Sequence, residues 1–150
     1  MKGRIVKLGA IAVATAIGFA ALTSLVQAQG DVIKDRQELM KSQGAAMKAI
    51  NGILEANGAL ADIAPQAAKL EETSAKIAEL FPAGSDQGDT KAKPEIWQNP
   101  DDFAAKAKDL HEQAAMLSTA VAGGDMAAVK AQYEKVGGAC GACHKVYKAK

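Results

Sequence analysis

The chain has 150 residues, room for one domain, and a formal charge of +1 at neutral pH. Charged residues make up 23%, the apolar set 49% and aromatics only 4%, a balance that excludes a disordered chain and argues against a strand-rich one. Alanine, the best helix former, dominates the apolar set, so an all-α fold is expected. Each alanine buries little area, and a bundle of this size gains from a large apolar group at its centre.

The N-terminus reads as a leader. Lys2, Arg4 and Lys7 precede an apolar run from Leu8 to Ala21, and Val26-Gln27-Ala28 gives a small-residue cleavage pattern. Residues 1–28 are therefore expected to be a secretory signal peptide, with residues 29–150 as the folded domain. Read as an uncleaved anchor, Leu8 to Val26 is 19 residues long and nearly spans a bilayer. Its Gly, Ala and Thr content makes it a poor one, and no basic stop-transfer cluster follows. Cleavage removes three basic residues and no acidic ones, leaving 15 against 17 and a net charge of −2. Nucleic-acid binding needs a basic face and is not expected; nor is stable membrane association once the leader is gone.

Four helical segments follow. The first is expected from Asp31, as N-cap, to about Ala56, stopped by Asn57-Gly58. A second is expected from Asp62, with Pro65 in its first turn, to Leu80 before Phe81-Pro82. Residues 82–99, punctuated by Pro82, Gly84, Gly88 and Pro94, read as a loop. The third opens on Asn99-Pro100 and stops at Gly123-Gly124; the fourth runs from Asp125 to the C-terminus. Ile63, Ala67, Leu70, Ser74, Ile77 and Phe81 form one stripe, and Phe103, Ala107, Leu110, Ala114, Leu117 and Val121 another, both at 4-3-4-3-4 spacing. Met126, Val129, Tyr133, Val136, Cys140, Cys143 and Tyr147 continue the pattern on the last helix. Short connections imply antiparallel neighbours, hence an up-down-up-down four-helix bundle.

Residues 140–144 read Cys-Gly-Ala-Cys-His. Residues three and four apart share a helix face, so Cys140, Cys143 and His144 project together. Two thiols there can add to the vinyl groups of one porphyrin edge, and the imidazole can reach the iron. Gly141 and Ala142, with Gly137, Gly138 and Ala139 one turn earlier, are expected to leave room for the macrocycle. A disulfide this local would strain a helix and stabilise little. A thioredoxin-like pair belongs at a helix N-terminus after a strand, and this one closes the last helix of a strand-free pattern. Zinc wants four ligands, and the fourth on offer is the distant His111. One covalently attached haem c is the favoured reading.

On the first helix Ile33, Arg36, Met40, Gly44 and Met47 share a face. Methionine is a haem ligand, and it is also a common filler of irregular core space. Arg36 is suited to pair with a haem propionate, or is a solvated surface arginine. Trp97 is expected to cover the loop end of the bundle, and His111 to sit at the edge of its core stripe. No nucleophile–base pair, phosphate loop or paired carboxylates stand out, so an enzyme is not expected.

Arg36-Gln37-Glu38-Leu39-Met40-Lys41, Leu80-Phe81-Pro82 with Glu95-Ile96-Trp97, and Cys140 to His144 followed by Tyr147-Lys148 together resemble the class II c-type cytochromes. These are the cytochromes c′ and their low-spin, methionine-ligated relatives. The resemblance implies a four-helix bundle, thioether bonds at Cys140 and Cys143, His144 as proximal iron ligand and Arg36 against a propionate. Met40 matches the distal position, where the family divides. In low-spin members a methionine ligates the iron and the protein passes electrons. In cytochromes c′ the residue crowds a five-coordinate iron that binds NO or CO. Leu39-Met40-Lys41 is closer to the first type. Lys148 departs from the arginine of many relatives, losing the planar fork. A periplasmic location, redox partner proteins and a homodimer through the first two helices are implied as well; the surfaces of those helices leave the dimer open.

Overall fold

The computed structural model describes the backbone from residue 16 and the side chains from residue 31. Most of the leader expected over 1–28 thus lies outside the described residues. Five helices follow in order: α1 (Ala16–Glu55), α2 (Leu60–Ser74), α3 (Glu95–Gln98), α4 (Pro100–Ala122) and α5 (Met126–Tyr147). The four long ones form the expected up-down-up-down bundle. Among the described residues no helix is long and apolar enough to cross a membrane.

The helix ends show which local signals decided them. Asp31 is not an N-cap, because α1 already runs through it from Ala16; a cap needs a non-helical chain before it. The Asn57-Gly58 stop is as expected. Asn57 sits at φ 49°, its N–H donates to Leu54 O and that of Gly58 to Ile53 O at 2.8 Å, a Schellman closure. A Cβ at Gly58 would stand 2.9 Å from Ile53 Cγ2, so only glycine fits.

The second helix starts two residues before Asp62, at Leu60, which moves Pro65 out of the first turn. It stops at Ser74 rather than Leu80. Thr73 Oγ1 donates to Lys69 O at 2.6 Å and Ser74 Oγ to Glu71 O at 3.0 Å. Such hydroxyl bonds compete with the backbone ladder. The chain tightens there into bonds three residues apart and a 3-10 turn at Ala78–Leu80.

The region read as loop contains α3, and this changes the role of Asn99. Its amide donates back to Glu95 O at 3.2 Å and does not cap α4. Asp125 does cap α5, accepting from the N–H of Ala127 at 2.8 Å. The last helix ends at Tyr147, short of the terminus. Lys148 pairs with Ala92 in an isolated antiparallel bridge, and Ala149 N–H donates to Lys91 O at 2.8 Å.

The backbones of α1 and α2, α2 and α4, and α4 and α5 run close; among the described residues those of α1 and α5 stand further apart. The stripes of α2 and α4 are buried as expected, except that Phe81 is half-exposed. Each large side chain of this seam contributes about 1.5–3 kcal/mol by leaving water. The α5 stripe is shifted: Val129, Gln132, Val136, Ala139 and Tyr147 are buried, while Met126, Tyr133, Cys140 and Cys143 are half-exposed. The thiols do not continue the dry seam. They face the gap between α5 and α1.

Candidate haem site

That gap holds a cavity of about 570 Å³, within the range of cofactor pockets. Arg36, Met40, Gln43, Gly44 and Met47 form its α1 wall. Cys140, Cys143, His144, Tyr147 and Lys148 form the α5 wall, and Phe81, Ile96, Phe103, Ala107 and Leu110 lie between them. All five residues singled out from sequence as haem-binding therefore line one space. Met40 and His144 stand on opposite walls. The glycine that lines the cavity is Gly44. Gly137, Gly138 and Gly141, from which room was also expected, have open space at their Cβ positions, Met47 Cε standing 3.8 Å from that of Gly137.

Both thiols are free, and burial raises the pKa of each. They are thus held as neutral thiols, unlike the low-pKa nucleophile of a thioredoxin-type site. Partial desolvation of the ring, and then the charge of Lys148, lower the pKa of His144, although the residue as a whole is exposed; the direction favours the neutral imidazole that a metal requires. His111 is not part of the cavity. Its Nδ1 lies 3.2 Å from Ser74 Oγ and 3.1 Å from Glu71 O, on the α2–α4 side. Among the described residues no three metal-ligating side chains cluster, so the structure brings together no zinc site.

Arg36 is 4% exposed, far from a solvated surface residue. Nε donates to Leu80 O at 3.0 Å, one terminal nitrogen to Ser85 O and Thr90 Oγ1, and the other to Ser85 O and Ser85 Oγ at 2.7 Å. These take up all five guanidinium donors. The plane lies 4.1 Å from the Phe81 ring centroid and 5.7 Å from that of Trp97, within cation–π range. Burial lowers its pKa, yet an arginine stays charged. Arg36 thus clamps the loop to α1, and what it offers the cavity is charge. Gly88, at φ 120°, lets this loop pass close to α1, where a Cβ would stand 3.1 Å from Ile33 Cδ1. Trp97 covers this end, its Nε1 donating to Pro82 O at 2.9 Å. Lys41, Lys91, Lys106 and Lys148 also line the cavity, with no carboxylate among its described lining residues.

Sequence reading missed two further features. Tyr147 donates to Asp102 Oδ2 at 2.5 Å, and Lys106 lies 3.3 Å from Asp102 Oδ1, tying the start of α4 to the end of α5. That hydrogen bond pushes Tyr147 up to about 12 and lowers Asp102. The other is Gln43, 6% exposed, whose Nε2 is buried without a hydrogen-bond partner. An orphaned amide of this kind costs about 1–3 kcal/mol. Its position three residues after Met40 was the available signal.

The site fits a covalently attached haem in size, in apolar lining and in its donor set. Comparison with known proteins agrees. The Cytochrome C' family profile matches residues 31–148. Cytochrome c' of Rhodopseudomonas palustris is 38% identical over 144 residues, 92% of this chain and 96% of that protein. Cytochrome c-554 of Cereibacter sphaeroides is 45% identical over 75 residues, 48% of this chain; the match spans 56% of that relative. The crystal structure of cytochrome c' from Thermochromatium tepidum superposes with a TM-score of 0.78 at 31% identity, covering 81% of this chain and 97% of that one.

Proposed function

The chain belongs to the cytochrome c′ family of class II c-type cytochromes, which carry covalently bound haem c, and we propose that it is a periplasmic electron carrier with His144 and Met40 as the two axial ligands. The observation that carries this reading is the placing of Met40 and His144 on opposite walls of one cavity that the two cysteines share. Bound haem iron supplies reversible one-electron chemistry. The residues supply attachment, ligation and environment. Cys140 and Cys143 anchor the porphyrin edge, and His144, held neutral, provides the proximal nitrogen. Met40 provides a soft sulfur that favours the reduced metal. Arg36 would set its charge toward a propionate while its donors hold the loop, and Lys41, Lys91, Lys106 and Lys148 would add positive charge around the cavity. Residues 1–28 direct export and are removed, and periplasmic redox proteins are the partners.

The test is the optical spectrum of the holoprotein and of Met40→Ala. The wild type should show a weak far-red methionine–iron band when oxidised and sharp, split bands when reduced. In Met40→Ala the far-red band should vanish and the reduction potential fall. A variant that keeps both removes Met40 from the iron. Broad, merged bands in the wild type, with CO taken up by the ferrous protein, make Met40 a steric gate and the protein a gas binder.

A further inference from the structure

The orphaned amide of Gln43 is the one buried polar group of the cavity wall that nothing above explains. It lies one helical turn beyond Met40, about 4.5 Å further along the axis, on the far side of Met40 from Arg36. The carbonyls of mid-helix α1 are occupied by the helix ladder. Met40 and Met47 flank Gln43 at three and four residues along α1, Cys140 lines the same cavity, and no acceptor, sulfur included, meets its Nε2. A thioether that gives one lone pair to a metal keeps a second, which accepts a weak hydrogen bond.

We propose that Gln43 is a positioning residue for the iron centre: when Met40 turns its sulfur to the metal, the Gln43 amide N–H donates to that sulfur and orients the lone pair that ligates. This rests on Met40 being the distal ligand, and it adds the residue that sets the strength of that bond. Groups that hydrogen-bond a ligand orient it and tune the metal. Met47, on the other side of Gln43, is the competing acceptor, and its removal is the control.

The experiment uses the holoprotein, Gln43→Leu, Gln43→Met and Met47→Leu. It follows the far-red methionine–iron band and the cyanide concentration that displaces it. In both Gln43 variants the band should shift, and cyanide should displace the methionine at a roughly fivefold lower concentration, the scale of one weak hydrogen bond. Met47→Leu, which keeps the bulk of that wall, should not reproduce the fivefold change in cyanide concentration together with the shift. Gln43→Met keeps the length of the side chain and stands in if Gln43→Leu does not fold. A wild-type band that both Gln43 variants leave unmoved, with an unchanged cyanide midpoint, overturns the hydrogen bond alone. So does a Met47→Leu variant that reproduces the shift and the cyanide change together. A wild type without the band overturns the ligation itself, and this bond with it.

Discussion

The interface of α2 with α4 and the facing walls of α1 and α5 are built on the same helical spacing, yet one is a dry core and the other a cavity. Between α2 and α4, Ile63, Ala67, Leu70, Ala114 and Leu117 are all buried. Between α1 and α5, Met40, Met47, Tyr133, Cys140 and Cys143 are only half-buried, and Gly44 and His144 are exposed. The contacts across the gap include the Tyr133 hydroxyl, which donates to Met47 O at 3.2 Å. Spacing decides which face of a helix turns inward. Side-chain volume and chemistry decide whether that face meets another helix or leaves space for a cofactor.

Three changes sharpen that contrast. The largest effect is expected on the cavity side: Cys140→Ala with Cys143→Ala should abolish retention of haem in acidified acetone, and a double variant that keeps it refutes the thioether roles. On the core side, Leu117→Ala should cost about 2–5 kcal/mol in urea unfolding, and Met47→Ala, half-exposed at the gap, about half as much. Equal losses would mean that the two sides are packed alike. The smallest effect is a pH dependence at the end of the gap. Asp102 has its pKa lowered, so its contribution is whole above the ordinary 3.8 and fades as pH falls through the lowered value. Tyr147 has its pKa raised, so its contribution is whole below the ordinary 10.0 and fades as pH rises through about 12. Thermal melts of Tyr147→Phe should lose the alkaline fall and flatten the acid one. A profile that superposes on the wild type breaks the latch.

Local features were legible in the sequence, and features built across the chain were not. The shared face of Cys140, Cys143 and His144, the α4 stripe, the α2 stripe up to Ile77, the Asn57-Gly58 stop and the start of α5 at Asp125 each depend on neighbours a few residues apart, and the structure has them all. The burial of Arg36 did not. Its acceptors lie 44 to 54 residues away, and three of its five hydrogen bonds go to backbone carbonyls, which have no residue type to recognise. Asn99 before proline has the form of a cap, but α3 brought Glu95 O within reach of its amide. Asp31 lost its role because the helix it was to open had already begun. Gln43 was passed over because a lone polar residue beside a stripe is more often a surface residue.

The open side of the bundle has a consequence for how the chain finds its fold. The pairs whose backbones run close, α1 with α2, α2 with α4 and α4 with α5, are each consecutive among the long helices. The pair that stands further apart joins the first to the last. Contacts between the ends of a chain close the longest loops, and topologies rich in them fold slowly. With few close backbone contacts on that side among the described residues, most of the fold is built from nearby hairpins, the kind of topology that folds on the microsecond-to-millisecond scale. Filling that side then falls to a group outside the amino-acid alphabet.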